Sequence, residues 1–207
     1  MNEQQNQFDP VVARRNRMIF VGMALLFAAP ILIATYMYKS GWRPASTMNH
    51  GTLVQPPRPA PGFVLSNLAG GSFDQQGLKN LWNLVVVTEG ACSNSCKKNL
   101  HTIRQVQVAQ GKNQHRVRRI LVQNGNVEDL DKLATAYPKL TILGADAASL
   151  DKLRKWTATS DRPGLFDGSR VYMVDPQGNF MMYYLPGYDP TGLRKDIVRL
   201  LKVSHIG

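Results

Sequence analysis

Hydrophobic and polar positions follow three rhythms along this chain, and each predicts a different kind of element. Residues 18–38, from Met18 to Tyr38, are 21 positions without a charge. At about 1.5 Å per residue this run can cross the hydrocarbon core of a bilayer as one helix, and a membrane helix tolerates its Gly22 and Pro30. Further on, Leu84-Val85-Val86-Val87 and Ile120-Leu121-Val122 are short apolar runs rich in β-branched residues, and they read as buried strands. Between them the period changes: Leu100, Ile103, Val106 and Ala109 recur at helical spacing over residues 97–111. The same spacing predicts a helix over 127–137, through Leu130, Leu133, Ala134 and Tyr137, and another over 147–156, through Leu150, Leu153 and Trp156.

Turn chemistry supplies the remaining elements. Gly70-Gly71-Ser72-Phe73 closes a short hairpin with Phe63-Val64-Leu65, and Thr141-Ile142-Leu143 reads as a short strand. Asp175-Pro176-Gln177-Gly178-Asn179 is a turn between Val171-Tyr172-Met173-Val174 and the run 180–185, which together make a hairpin. Asp189 before Pro190 caps a last helix with Leu193, Ile197, Leu200 and Leu201 on its buried stripe. Pro44, Pro56, Pro57, Pro59 and Pro61 predict an extended stalk. The expected organisation is a tail over 1–17, a transmembrane helix over 18–38, a Pro-rich stalk over 39–62 and one α/β domain over 63–207, without internal repeat or low-complexity tract.

The only two cysteines, Cys92 and Cys96, fall at the turn from the first buried strand into the helix that follows it. Amides at a helix N-terminus favour negative charge, so a thiolate there is a better redox group or soft-metal ligand. Lys97 and Lys98 add to that field. In regular helix, residues four apart hold their Cβ atoms about 5–6 Å apart, whereas a disulfide wants about 3.8 Å. Cys92 is therefore expected in the irregular loop and Cys96 near the first turn, with Ser93-Asn94-Ser95 small and polar enough to bend. Such a loop can close a disulfide or hold two thiolates around Cu(I). The competing reading is a plain structural disulfide or a pair of inert thiols. Strand, dithiol turn, helix, strand, helices, hairpin and helix is the thioredoxin-like order.

Flanking charge sets the expected compartment. Arg14, Arg15 and Arg17 stand just before the apolar run, and only Lys39 and Arg43 follow nearby. The positive-inside rule then keeps residues 1–17 in the cytoplasm and puts the domain across a bacterial inner membrane, in the periplasm. The run outlasts the apolar region of a cleaved signal peptide and ends on a bulky residue in Ala34-Thr35-Tyr36, which favours an uncleaved anchor. Cysteines in the oxidising periplasm need a reductant to act as thiols. The net charge of +11 would raise nucleic acid as a partner for a cytosolic protein. Outside the membrane it points to anionic lipid headgroups or an acidic protein, and no nucleic-acid partner is expected. Arg116, Arg118 and Arg119 read as the solvated edge of a strand.

The stretch Arg58-Pro59-Ala60-Pro61-Gly62-Phe63-Val64-Leu65, followed by a strand and then Cys92-x-x-x-Cys96, resembles the Sco/SenC family. Those proteins are membrane-anchored, thioredoxin-like assembly factors for the copper site of cytochrome c oxidase. The segment Val171-Tyr172-Met173-Val174-Asp175-Pro176-Gln177-Gly178 also resembles the family's hairpin, and the similarity runs over most of residues 55–202. The cysteine spacing is the discriminating mark, because ordinary thioredoxins place two residues between their cysteines. The resemblance implies Cys92 and Cys96 as the catalytic pair and as Cu(I) ligands. Its implied partners are a cytochrome c oxidase subunit or another copper-assembly protein.

This chain also departs from the family. The family has a proline after each cysteine, where Ser93 and Lys97 stand here. Its copper site uses a histidine in an Asp-His pair before the hairpin strand, where Asp167-Gly168-Ser169-Arg170 puts a glycine. Nor is there a proline immediately before Val171, where a thioredoxin carries its cis-proline. No other histidine is expected to substitute: His50 lies in the stalk, His115 starts a strand region and His205 is at the C-terminus. His101 falls about 140° around the helix from Cys96. Met173, Met181 and Met182 are expected as core filler. The implied function is thiol–disulfide exchange in oxidase assembly, with Cys92 attacking and Cys96 resolving. The alternatives are a general periplasmic thiol–disulfide oxidoreductase and a non-catalytic scaffold with a structural disulfide.

Overall fold

The computed structural model describes residues 10–41, 48–124, 128–159 and 166–204, with side chains for all of these except 10–12 and 128–131. The expectations for Arg43, Pro44, Val127, His205 and the side chain of Leu130 lie outside the described residues. The chain divides into two compact units, residues 1–47 and 48–207.

The first unit is the helix α1 (Pro10–Lys39). Within its stretch Ala13–Lys39 an 18-residue window has a mean hydropathy of 2.4, and side chains such as Phe20 and Leu26 are exposed. The Thr35 hydroxyl turns back onto the Ile31 carbonyl at 2.7 Å, so its one hydroxyl is satisfied inside the helix, as a lipid environment requires. By length and composition this helix can cross a membrane.

The second unit is built on β4 (Trp82–Glu89) and β5 (Val117–Asn124), which pair in parallel from Trp82↔Val117 to Glu89↔Asn124. A parallel pair is covered on both faces, which is why these strands read as continuous apolar runs. Beyond β5 comes β6 (Thr141–Gly144), also parallel. On the other side of β4 lies the antiparallel hairpin of β7 (Val171–Val174) and β8 (Asn179–Tyr184). The edges are β1 (Thr52–Pro59) against β8, and β2 (Val64–Asn67) with β3 (Ser72–Asp74) beside β6. The eight-stranded order is β1-β8-β7-β4-β5-β6-β2-β3.

Strand alternation divides the core into two layers. Leu84, Val86 and Leu121 meet Leu100 and Ile103 of α2 (Asn94–Val108), Leu133 of α3 (Glu128–Ala136), and Leu193 and Ile197 of α5 (Pro190–Val203). Val85, Val87, Ile120 and Val122 meet Leu150 and Leu153 of α4 (Ala147–Thr157) on the opposite face. The site elements α2 and α3 therefore share one face with α5. Asp189 caps α5 as expected, its carboxylate accepting from the Thr191 amide at 2.9 Å.

Two expectations are corrected. Residues 52–59, expected in the stalk, form β1, and Val54 is buried in the core. The prolines fit because β1 is an edge strand, where one row of N–H groups has no ladder partner. Arg118 and Arg119 lie on β5, an interior strand rather than a solvated edge, and Arg116 ends the short 3-10 turn just before it. Arg119 is buried and donates to the Pro138 carbonyl at 2.6 Å, Arg118 donates to the Gly77 carbonyl, and Arg116 donates to the Leu201 and Ser204 carbonyls. Long stems let guanidinium groups reach main-chain acceptors beyond the sheet.

The start of the domain is latched onto α5. Asp196, 2 % exposed, accepts from the His50 and Gly51 amides at 2.9 and 3.0 Å and from the Tyr184 hydroxyl at 2.8 Å. His50 Nδ1 lies 3.1 Å from its other oxygen. Gly192 makes room, since a Cβ there would come within 2.7 Å of the His50 Cβ. Burial opposes ionisation of Asp196, but the hydrogen bonds from His50, Gly51 and Tyr184 outweigh it and hold its carboxyl below the ordinary carboxylate range. A carboxyl depressed in the folded state contributes stability that is complete above its unfolded pKa of about 3.9 and is lost as pH falls through the folded value. Asp196→Asn should therefore lower the denaturation midpoint at pH 7 and flatten its decline below pH about 4. An acid limb identical to wild type would show that other carboxylates carry it.

Candidate functional site

The two sulfur atoms are joined: Cys92 and Cys96 form a disulfide with their Cα atoms 5.3 Å apart. Cys92 lies in the turn after β4 and Cys96 in the first turn of α2, the placement their spacing predicts. Ser93 caps the helix, its hydroxyl accepting from the Cys96 amide at 3.3 Å and lying 2.8 Å from the Ser95 hydroxyl. Cys96 is wholly buried, and Cys92 is 7 % exposed. Cys92 is thus less open than a free loop would leave it.

Cys92 nonetheless faces space. A cavity of about 320 Å³ is lined by Cys92, Lys97, Lys132, Leu133, Ala136 and Tyr137, so α2 and α3 form its walls. The Tyr137 hydroxyl donates to the Lys97 carbonyl at 3.3 Å across it. Lys97 lines the same cavity as Cys92, on the side its position after Cys96 suggested.

A second segment closes over Cys96. Asp167 bridges to Thr88 at the end of β4, with the Glu89 amide donating to the Phe166 carbonyl at 2.7 Å and the Gly168 amide to the Val87 carbonyl at 3.0 Å. The Ser93 hydroxyl donates to the Asp167 carbonyl at 3.2 Å. Gly168 has φ of +75°, and a Cβ built on it would lie 2.4 Å from the Cys96 Cβ and 3.3 Å from its Sγ. Only glycine fits: the backbone conformation disfavours a side chain, and Cys96 occupies the space one would need.

Asn99 ties this segment to the rest of the fold. Its side-chain amide donates to the Gly168 carbonyl at 2.8 Å, and its oxygen accepts from the Tyr188 hydroxyl at 3.2 Å. Burial pushes the Tyr188 pKa up to about 12, so it stays a neutral donor. The Tyr188 ring lies 5.3 Å from that of Tyr184, which in turn donates to Asp196. Neither Asn99 nor Tyr188 was singled out from the sequence. The available signal was a polar residue three positions after Cys96, on the inward stripe of α2.

The other sequence candidates are not brought to the disulfide. His101 is exposed on α2 and lines a separate groove with Pro190, Thr191 and Arg194. His50 is committed to Asp196, and His115 is exposed. Met173 and Met182 are buried in the core, and Met181 packs against it half-buried. Among the described residues no group of three or more His, Cys, Asp and Glu side chains could hold a metal ion. Reduced, the pair would offer two thiolates at a helix N-terminus, enough for exchange or for low-coordinate Cu(I). Gly168→Ala should destabilise the domain by about 2 kcal/mol or more in chemical denaturation, from strain plus overpacking on Cys96. Gly168→His should do the same and gain no tight metal site; a stable variant that binds Cu(II) stoichiometrically would show that the segment yields more readily than its packing implies.

Comparison with known proteins agrees with this geometry. The family model described as transmembrane-like, thioredoxin-like, C-terminal domain matches residues 82–204. No curated protein matches the chain in sequence. Among solved structures, yeast Sco1 with copper bound superposes with a TM-score of 0.56 at 16 % identity, covering 72 % of this chain and 91 % of that one. Apo Sco1 from Thermus thermophilus gives 0.56 at 20 % identity, covering 76 % and 99 %. A thiol:disulfide interchange protein of the thioredoxin family from Chlorobium tepidum gives 0.56 at 14 % identity, covering 72 % and 99 %. At these identities the likeness establishes the thioredoxin-like fold. With a family model covering more than half its length, the chain belongs to the transmembrane-like, thioredoxin-like C-terminal domain family.

Proposed function

We propose that this chain is a membrane-anchored dithiol–disulfide redox factor of the Sco type, supporting copper-site assembly of cytochrome c oxidase from the periplasmic side of a bacterial inner membrane. The observation that carries the reading is the disulfide itself: it sits at a helix N-terminus, with Cys92 in the wall of a cavity and Cys96 sealed beneath Gly168. A disulfide needed only for stability gains nothing from that location. The neighbours in fold include Sco1 proteins, one solved with copper, and a thiol:disulfide interchange protein.

The chemistry follows from the difference between the two sulfurs. An external dithiol reductant first opens the disulfide and leaves two thiols. The Cys92 thiolate, facing the cavity, attacks one sulfur of a client disulfide, forming a mixed disulfide and releasing one client thiolate. Cys96 then attacks the Cys92 sulfur, which re-forms the Cys92–Cys96 disulfide and releases the second client thiolate. Two electrons pass to the client, whose thiols are then free to receive copper. Copper itself is cargo here. Reduced Cys92 and Cys96 suit transient Cu(I), whereas Cu(II) prefers nitrogen-rich tetragonal sites, and Gly168 leaves no room for the family's histidine. A second reading, a general thiol–disulfide oxidoreductase, is favoured by that same missing ligand and differs in having many clients rather than one.

Cys92→Ser and Cys96→Ser should each abolish catalytic reduction of a model protein disulfide, and His101→Ala should leave it unchanged. Cys96→Ser should trap a mixed disulfide through Cys92, and Cys92→Ser should not. Oxidase assembly that survives replacement of both cysteines would leave only a scaffold. An alkaline phosphatase fused after Gly207 should be active; an inactive fusion would contradict the periplasmic placement.

A further inference from the structure

The helix α5 carries a charge pattern that neither the core nor the disulfide uses. Arg194, Lys195, Arg199 and Lys202 are all exposed and, at 3.6 residues per turn, fall within an arc of about 140°. The one acid of this helix, Asp196, points into the domain and is engaged by His50 and Tyr184. The exposed face is therefore purely basic, and Arg194, Lys195, Val198, Arg199 and Lys202 line a shallow groove of about 380 Å³ along it.

Apolar groups frame the same face. Among the described residues from 48 onward, Met48 at 77 % and Val203 at 71 % are the most exposed large hydrophobic side chains. Val203 follows Lys202 directly, and Arg199 donates to the Met48 carbonyl at 2.5 Å. The apolar face of α5 is in the core, so what its outer face offers a lipid surface is charge, cations that attract anionic headgroups, with Met48 and Val203 as exposed apolar groups beside them.

We propose that this face of α5 docks on the anionic phosphate headgroups of the bilayer that holds the anchor, an inference that rests on reading α1 as a membrane helix. A lipid surface is favoured over an acidic protein because the chain enters the domain beside this face. Arg199 of the basic face donates to the Met48 carbonyl, and His50 and Gly51 are fastened to Asp196 on the inner side of the same helix. Six residues separate Gly41 from Met48 in the sequence, so the covalent connection spans at most about 25 Å. Two of the six are Trp42 and Arg43, residue types favoured at the membrane interface. Tethering on so short a connector keeps the basic face at high effective concentration beside headgroups, so weak charge attraction suffices for docking.

The test uses the full chain reconstituted in nanodiscs of neutral phosphatidylcholine or of phosphatidylcholine with phosphatidylglycerol, with lysine acylation rates read by mass spectrometry. Lys195 and Lys202 should react about fivefold or more slowly in the anionic discs, while Lys98 and Lys155 react equally in both. The protection should vanish in 1 M salt and in the double variant Arg194→Gln, Val203→Asp, which keeps both reporter lysines. An intact Cys92–Cys96 disulfide and an unchanged circular dichroism spectrum show that this variant is folded. Equal rates in the two disc types, with the chain incorporated in both, would overturn the docking and leave the anchor standing. A chain that does not enter the discs would overturn the anchor and the docking with it.

Discussion

Everything at this site depends on the contact between Gly168 and Cys96. Main-chain hydrogen bonds to Val87 and Glu89 fix the segment that carries Gly168, and the Asn99 side chain holds its carbonyl. The segment cannot retreat without leaving buried polar groups unpaired, which costs more than a hydrogen bond contributes when it forms. A Cβ at 168 would overlap Cys96, so the chain has glycine there with positive φ. The consequence is chemical. One sulfur is sealed, the other borders a cavity, and no side chain at 168 can join them as a third ligand.

The site is also continuous with the way the domain is held together. From Gly168 hydrogen bonds run through Asn99 to Tyr188, whose ring packs on that of Tyr184, and the Tyr184 hydroxyl goes on to Asp196, which anchors the first residues of the domain. Each polar atom named in that line has a partner, so burying it does not leave a desolvated group uncompensated. The same helix, α5, thus supports the site from within and presents an all-basic surface outside.

Much of the fold was legible because it rests on signals that tertiary context does not override. Leu84 to Val87 and Ile120 to Val122 are continuous apolar runs because parallel central strands are covered on both faces. Asp189-Pro190 and the Asp175–Asn179 turn act through local backbone chemistry. The cysteine pair was legible for the same reason, since a strand-to-helix turn is set by the elements on either side. β1 was not legible: proline reads as extended chain, and only the finished sheet shows that Pro56, Pro57 and Pro59 lie at an edge. Arg119 misled because burial of a guanidinium needs an acceptor, the Pro138 carbonyl, that no local pattern announces. Gly168 stood out in the sequence as a departure from the resembled family, but its reason, the approach of Cys96, is a long-range contact.

The central claim is that the pair works by dithiol exchange and meets copper only as passing Cu(I). The most direct measurement is an anaerobic titration of the fully reduced protein with Cu(I) and, separately, Cu(II), beside its dithiol reduction potential. The account predicts weak Cu(I) binding that requires both Cys92 and Cys96, no stoichiometric Cu(II) complex, and a potential within the range of exchange-active thiols. A tight one-to-one Cu(II) complex in the wild-type protein would contradict it.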